Sequence, residues 1–133
     1  MTNLDCLGNN ITNASPQVIA GVNDFINGFL AYEKKAVNII DVANKNPNSC
    51  IANAYASMLW MFLESPEAPD KAKPFLKRAL ESLGSANKRE AEITRIMSDW
   101  VNDDIPGLLK KSENLLNIYP KDLIILKLAQ THY

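Results

Sequence analysis

The chain of 133 residues has little of what enzymes and metalloproteins use. It contains one histidine, His132, and five glycines scattered along its length. No His, Cys, Asp and Glu residues have the spacing of metal ligands, and no glycine-rich segment could cradle a phosphate. Because catalysis needs nucleophiles, acids and bases that converge, the sequence favours a non-catalytic protein without a cofactor. We interpret His132 as a helix-surface or interface residue.

Charge of one sign and long apolar runs are also lacking. The chain has 14 basic and 15 acidic residues, a formal net charge of −1, and neither sign gathers into a run that would follow a phosphate backbone or an anionic membrane. The polar first fifteen residues resemble no secretory signal, and no apolar run is long enough to cross a bilayer. We therefore expect a cytoplasmic protein that binds neither nucleic acid nor a membrane.

Cysteine occurs twice, at Cys6 and Cys50. Spacing alone does not decide whether the two form a disulfide. Nothing in the sequence indicates an oxidising compartment, so we predict two reduced thiols.

What the sequence does contain is a helical pattern that is interrupted at regular intervals. Breaks fall at Asn46-Pro47-Asn48, at Leu83-Gly84 and at Tyr119-Pro120-Lys121, and the prolines at 47 and 120 lie 73 residues apart. This is two periods of about 36 or 37, close to the roughly 34 residues of a tetratricopeptide repeat. The pattern predicts an all-α fold, a right-handed stack of antiparallel helical hairpins (a tetratricopeptide-like α-solenoid) with about seven helices.

The expected organisation is a flexible segment over residues 1–15 followed by one helical domain over 16–133. Its hairpins cover about 16–47, 48–85 and 86–120, and an extra helix covers 121–133. We expect helices at about 17–29, 31–44, 49–64, 70–83, 87–101, 105–118 and 122–133, from apolar residues at three-and-four spacing.

Local signals mark several helix ends. Ser15-Pro16 is typical of a helix start, and Asn87 with Glu90 three residues later has the form of a capping box. Pro74 would lose one backbone hydrogen bond inside a helix, so we expect an irregular first turn there or a start nearer Lys73.

Two helices are unusually apolar. The third, about 49–64, is apolar around nearly its whole circumference and should be buried at the centre. The last, 122–133, is too apolar for the polar outer face that a terminal solenoid helix needs. We expect either that the chain is part of a longer protein, which we favour, or that a partner or a second copy covers this helix.

Four groups of residues carry a resemblance to a known family. The groups are Asn53-Ala54-Tyr55-Ala56 with Leu59 to Glu64, Ala86-Asn87 with Arg89-Glu90, Asp99-Trp100 with Asp104, and Tyr119 to Leu123 with Leu126-Lys127-Leu128. They resemble bacterial and eukaryotic relatives of the tetratricopeptide repeat protein 38 family. The resemblance spans nearly the whole chain after residue 15, and members of that family are considerably longer. It implies degenerate tetratricopeptide-like repeats and an interaction role, and it carries over no catalytic residue.

Candidate partner-binding residues follow from the repeat interpretation. The first helix of each hairpin would line a concave groove, so we consider polar and aromatic residues that share a face of the third and fifth helices. Arg89 has two interpretations, an ion pair with Glu92 or Asp99 or a contact with a partner carboxylate. Trp60 and Trp100 either belong to the core or contact a partner. The residues that share a face of each helix could instead simply face solvent, without a binding role. The candidates are Asn53, Ser57, Trp60, Lys88, Arg89, Glu92, Arg95 and Asp99.

The sequence thus predicts a scaffold that binds a peptide or protein segment in a preformed groove, without a chemical step. Two alternatives stay open. The chain could be the helical N-terminal domain of a larger enzyme or regulator, or a module that homodimerises through its apolar C-terminal helix.

Overall fold

The computed structural model describes residues 3–12, 14–63 and 65–132. Within them the chain forms seven α-helices and no strand, which confirms the all-α prediction. Short 3-10 turns lie at Lys34–Val37 and Leu83–Ser85. The helices are α1 (Pro16–Ala31), α2 (Asn38–Lys45), α3 (Cys50–Phe62), α4 (Ala68–Glu81), α5 (Lys88–Val101), α6 (Ile105–Ile118) and α7 (Leu123–His132).

The predicted caps form. The Ser15 hydroxyl accepts a hydrogen bond from the Val18 N–H at the start of α1 (3.2 Å). At the start of α5 the Asn87 side chain accepts from the Glu90 N–H (2.8 Å), and the Glu90 carboxylate accepts from the Asn87 N–H (3.2 Å). The capping box is therefore confirmed, and each bond satisfies a helix N–H that has no partner within its own helix.

The second helix is shorter than predicted. Tyr32 ends α1 in the left-handed conformation (φ 57°), and a 3-10 turn precedes α2, which begins only at Asn38. The turn packs tightly on Gly28, where a Cβ would come within 2.5 Å of the Ala36 nitrogen. The close approach of α1 and the turn explains why glycine is required near the end of α1.

The expectation for Pro74 is wrong. Pro74 lies inside α4, which begins six residues earlier at Ala68. Pro74 and Asp70 are both exposed, so water can satisfy the Asp70 carbonyl that has lost its helical donor. The missing backbone bond is therefore tolerated without an irregular start.

The third helix is buried at the centre, as predicted. All residues from Cys50 to Met58 are buried, and α3 contacts α1, α2, α4 and α5. Because α3 packs against neighbours on every side, it has no solvent-facing side, which explains its largely apolar circumference.

The odd-numbered helices run in one direction, and α2 and α4 run back. Toward their C-terminal ends α1, α3, α5 and α7 meet through aromatic rings. Asn46, after α2, donates to the Gln17 side chain at the start of α1 (3.0 Å), and the Cys50 sulfur at the start of α3 lies 3.5 Å from the Ala79 carbonyl near the end of α4. In the pairs α1–α2 and α3–α4 the two helices therefore run antiparallel.

The last helix packs on the first. Lys127 of α7 donates to the carbonyl of Phe29 in α1 (2.9 Å). Ile124, Ile125 and Leu128 have no exposed surface, so most of the apolar face of α7 is covered within the chain itself. What remains outside are Leu123 and Leu126, which are about two-fifths exposed.

Residues 3–12 are packed, although the sequence predicts flexibility for residues 1–15; residues 1, 2 and 13 lie outside the described residues. Residues 3–12 turn back on themselves, with an isolated antiparallel bridge between Leu4 and Asn10. Ile11 joins the core and Asp5 is buried. Thr12 donates from its N–H and its hydroxyl to the Glu90 carboxylate of α5. The contacts that hold this segment come from residues distant in the sequence.

Candidate functional site

Two candidates on α3 are in the interior. Asn53 and Ser57 have no exposed surface. The Asn53 side chain donates to the carbonyls of Ser49 (2.9 Å) and Asn46 (3.2 Å), and the Ser57 hydroxyl donates to the Ala54 carbonyl (2.6 Å). The prediction that these residues form an accessible strip on α3 is therefore wrong. Asn53 instead bonds the backbone that leads into α3, and Ser57 bonds the backbone of α3 itself.

Trp60 is half-buried and packs against the core. Its indole Nε1 is buried and has no acceptor among the described residues. Trp100 is also half-buried and packs edge-on against Phe62 and the His132 ring. These contacts place both tryptophans and His132 in the packing of the helix ends.

Arg89 follows neither of its two predicted interpretations. Its side chain is 2% exposed, and its Nε donates to Asp122, which precedes α7 (2.8 Å). Its Nη2 donates to the Tyr55 hydroxyl of α3 (3.0 Å) and lies 3.9 Å from a carboxylate oxygen of Asp5. We call these four residues, Asp5, Tyr55, Arg89 and Asp122, the Arg89 cluster.

The cluster is held in place by backbone groups. Asp5 accepts from the N–H groups of Leu7 (2.9 Å) and Asn9 (3.0 Å), and Asp122 accepts from the N–H of Ile125 in the first turn of α7 (3.3 Å). Charge-assisted bonds of this kind orient both carboxylates toward the guanidinium. The cluster therefore joins the N-terminal segment, α3, α5 and α7.

Electrostatics in the cluster follow from its burial. Burial lowers the pKa of Arg89, but the neighbouring Tyr55, Asp122 and Asp5 outweigh this and raise it. Burial raises the pKa of Tyr55, opposed by the positive charge of Arg89. Arg89 is thus a fixed cation and Tyr55 a neutral hydroxyl near neutral pH.

The remaining α5 candidates are closer to the surface. Arg95 donates to Glu92 one helical turn away (3.1 Å), and Asp99 accepts from Lys111 of α6 (2.6 Å). The hydrogen bond to Asp99 raises the pKa of Lys111. Lys88 is exposed, and no carboxylate among the described residues pairs with it.

An open groove of about 780 Å³ runs between α5 and α6. It brings three of the predicted residues together, Lys88, Glu92 and Arg95, and its lining also includes apolar side chains of α5 and α6. Ile118, which also lines the groove, is 70% exposed. The other lining residues are Ala86, Asn87, Ala91, Asn114, Leu115 and Tyr119.

The two thiols are free, as predicted. Cys6 is exposed, whereas Cys50 is buried beside the Thr94 hydroxyl (3.1 Å). Burial raises the pKa of the Cys50 thiol, which is therefore protonated and unreactive at neutral pH.

Within the described parts of the chain, no three or more His, Cys, Asp and Glu side chains are arranged to hold a metal ion. No helix there combines the length and apolar character needed to cross a membrane.

Comparison of the chain with protein-family models, with curated proteins and with solved structures found no match.

Proposed function

We propose that the chain is a non-catalytic, tetratricopeptide-like scaffold that binds a segment of another protein in the groove between α5 and α6. One observation carries the proposal: an apolar groove of about 780 Å³, edged by Lys88, Glu92 and Arg95, with Ile118 exposed beside it. Amphipathic helices bind in grooves of this character, apolar face inward.

The repeat interpretation is supported by the direction of the helices. Odd-numbered helices that share one direction, with α2 and α4 returning between them, are the arrangement of stacked hairpins. The relationship to the tetratricopeptide repeat protein 38 family is part of the same proposal. So is a cytoplasmic location, which the two free thiols support.

The charges at the groove indicate what its occupant carries. Glu92 and Arg95 neutralise each other across 3.1 Å, whereas Lys88 has no acidic partner among the described residues. An acidic residue of a bound segment could form an ion pair with Lys88, and this ion pair would fix the direction in which the segment lies in the groove. The occupant is therefore an amphipathic segment with apolar anchors and an acidic residue at one end.

The groove can be tested with a displayed library of random peptides selected on the purified chain. We expect enrichment of amphipathic peptides that contain an acidic residue. Ile118→Asp should weaken the binding of the selected peptides by about tenfold or more, because it places a charge where an apolar anchor packs. Lys88→Glu should reduce the preference for acidic residues.

The matched control is Leu80→Asp, which places the same charge at an exposed leucine of α4, outside the groove. It should leave peptide binding unchanged. Equal binding by the Ile118 and Leu80 variants, or no enrichment at all, would rule out the groove as the binding site.

A further inference from the structure

A second, smaller cavity adjoins the end of the groove. It measures about 170 Å³ and lies between the N-terminal segment and the start of α5. Asn87 and Tyr119 line both the groove and this cavity, so the two are neighbours. The other lining residues are Gly8, Asn9, Asn10 and Arg89.

Two residues that line this cavity each carry a side-chain donor without an acceptor among the described residues. Arg89 Nη1 and Asn9 Nδ2 are both buried, and neither has a partner among the described residues. Arg89 is 2% exposed and Asn9 is 9% exposed. Buried donors are nearly always paired in folded proteins, so two unpaired donors from residues that line one cavity point to a group with an acceptor oxygen.

The charge around the cavity decides which acceptor fits. Arg89 already faces two carboxylates, Asp122 at 2.8 Å and Asp5 at 3.9 Å. A third carboxylate would enter a site whose net charge is negative, and like charges in a buried site repel strongly. A neutral carboxamide oxygen can accept from both donors without that repulsion.

The walls of the cavity are preformed. Gly8 takes a left-handed conformation (φ 82°), and Asp5 accepts from the N–H of Asn9 (3.0 Å). The Asn87 side chain donates to the Asn10 carbonyl (2.9 Å), which holds the loop against α5. Because the loop backbone that carries Asn9 is held in place before binding, less conformational entropy is lost when a ligand enters.

We propose that this cavity binds an uncharged carboxamide, the side chain of a Gln or Asn residue carried by the segment that occupies the α5–α6 groove. The volume of about 170 Å³ far exceeds the about 10–15 Å³ needed for one water molecule and suits a small polar side chain. The inference rests on the proposed function for the source of the carboxamide, but the pocket chemistry can be tested without any peptide.

The test is a titration of the isotope-labelled full chain with propionamide, which reproduces the end of a Gln side chain, followed by NMR. We expect saturable shifts of the Asn9 side-chain amide and of the Gly8 and Asn10 backbone amides. Propionate, which has nearly the same shape, should bind at least about fivefold more weakly because of its charge. Equal or tighter binding of propionate, or no saturable shift with propionamide, would overturn the proposal.

Asn9→Leu removes one donor and keeps the side-chain shape. It should weaken propionamide binding by about fivefold, the effect of one hydrogen bond, while the stability of the free chain should not fall. Asn117→Leu is the matched control, since it makes the same change at an exposed amide of α6 that lines neither the groove nor the cavity. Unchanged binding by the Asn9 variant would contradict the assignment.

The two proposals fail separately. If peptides are enriched but propionamide does not bind, the groove proposal stands and the carboxamide pocket is ruled out. If propionamide binds but no peptide is enriched, the pocket chemistry is supported and the groove is ruled out as the source of its ligand.

Discussion

The two ends of α5 are joined to the rest of the molecule by opposite kinds of chemistry. At its N-terminal end Arg89 meets two buried carboxylates and the Tyr55 hydroxyl. At its C-terminal end Trp100 belongs to a run of rings with centroid separations of 4.6–5.2 Å, which we call the aromatic ladder. The ladder consists of Phe25, Phe29, Phe62, Trp100 and His132.

Both regions connect distant parts of the chain, but they should respond differently to change. The Arg89 cluster is directional, and the loss of Arg89 leaves two buried carboxylates without a counter-charge. Ring packing gains most of its free energy from the burial of apolar surface, which is non-directional, so neighbouring rings can partly relax into a gap. Tyr55 connects the two regions, because its ring stacks on Phe25 (4.6 Å) while its hydroxyl accepts from Arg89 (3.0 Å).

The largest effect should come from Arg89→Met. This change leaves Asp5 and Asp122 buried without a counter-charge, and we expect it to lower the free energy of unfolding by about 3–5 kcal/mol. Urea denaturation followed by circular dichroism measures the loss. Arg95→Met, at an exposed arginine of the same helix, should cost less than about 1 kcal/mol. Similar costs for the two variants would show that the cluster is no stronger than a surface ion pair.

A smaller effect is expected from Phe62→Ala in the middle of the ladder. Phe62 contacts Phe29 (4.6 Å) and Trp100 (4.8 Å) but is only half-buried. We expect a loss of about 2–3 kcal/mol, below the usual cost for a fully buried phenylalanine. The control is Leu63→Ala, at the adjacent exposed residue, which should cost under about 1 kcal/mol. A loss larger than that of Arg89→Met would reverse the comparison between the two regions.

The smallest effect concerns alkaline pH. Burial raises the pKa of Tyr55 and of the Cys50 thiol in the folded chain, whereas the unfolded chain ionises these groups near their ordinary values of 10.0 and 9.0. The unfolded state therefore releases protons that the folded state keeps. Their stabilising contribution is complete below pH 9 and falls as the pH rises, by up to about 1.4 kcal/mol per pH unit for each group.

This pH dependence can be assigned with two variants. Cys50→Ser should make the free energy of unfolding fall less steeply above pH 9, and Tyr55→Phe should do so above pH 10. Urea titrations of both variants and of the unchanged chain at pH 8 and pH 10.5 provide the comparison. If all three lose the same free energy over this interval, other groups govern the alkaline loss.

Much of the helical pattern could be predicted from the sequence, because caps and helix breaks are local. Ser15, Asn87 and Glu90 act through N–H groups three residues away, and a local pattern specifies such bonds. The burial of α3 could be predicted for a related reason, since its composition alone indicates a helix with neighbours on every side. The boundary of α2 could not, because it depends on how the turn at Ala36 packs on Gly28.

The candidate site was predictable only in part, because its side chains are positioned by distant contacts. Helical spacing groups Lys88, Glu92 and Arg95 correctly on one face. It gives no sign that Arg89 turns inward to Asp122, 33 residues further along the chain, or to Asp5 in the N-terminal segment. Asp122 lies two residues after Pro120 and directly before α7. This position indicates a helix cap, but it does not indicate an ion pair.

The contact between α7 and α1 bears on how the protein loses its structure. In a linear array each repeat contacts only its neighbours, so unfolding can begin at either end and proceed repeat by repeat. Here the hydrogen bond from Lys127 to the Phe29 carbonyl joins residues 98 positions apart. The last helix cannot detach without also uncovering the first, so the chain should melt as one cooperative unit, unlike an array that frays from its ends.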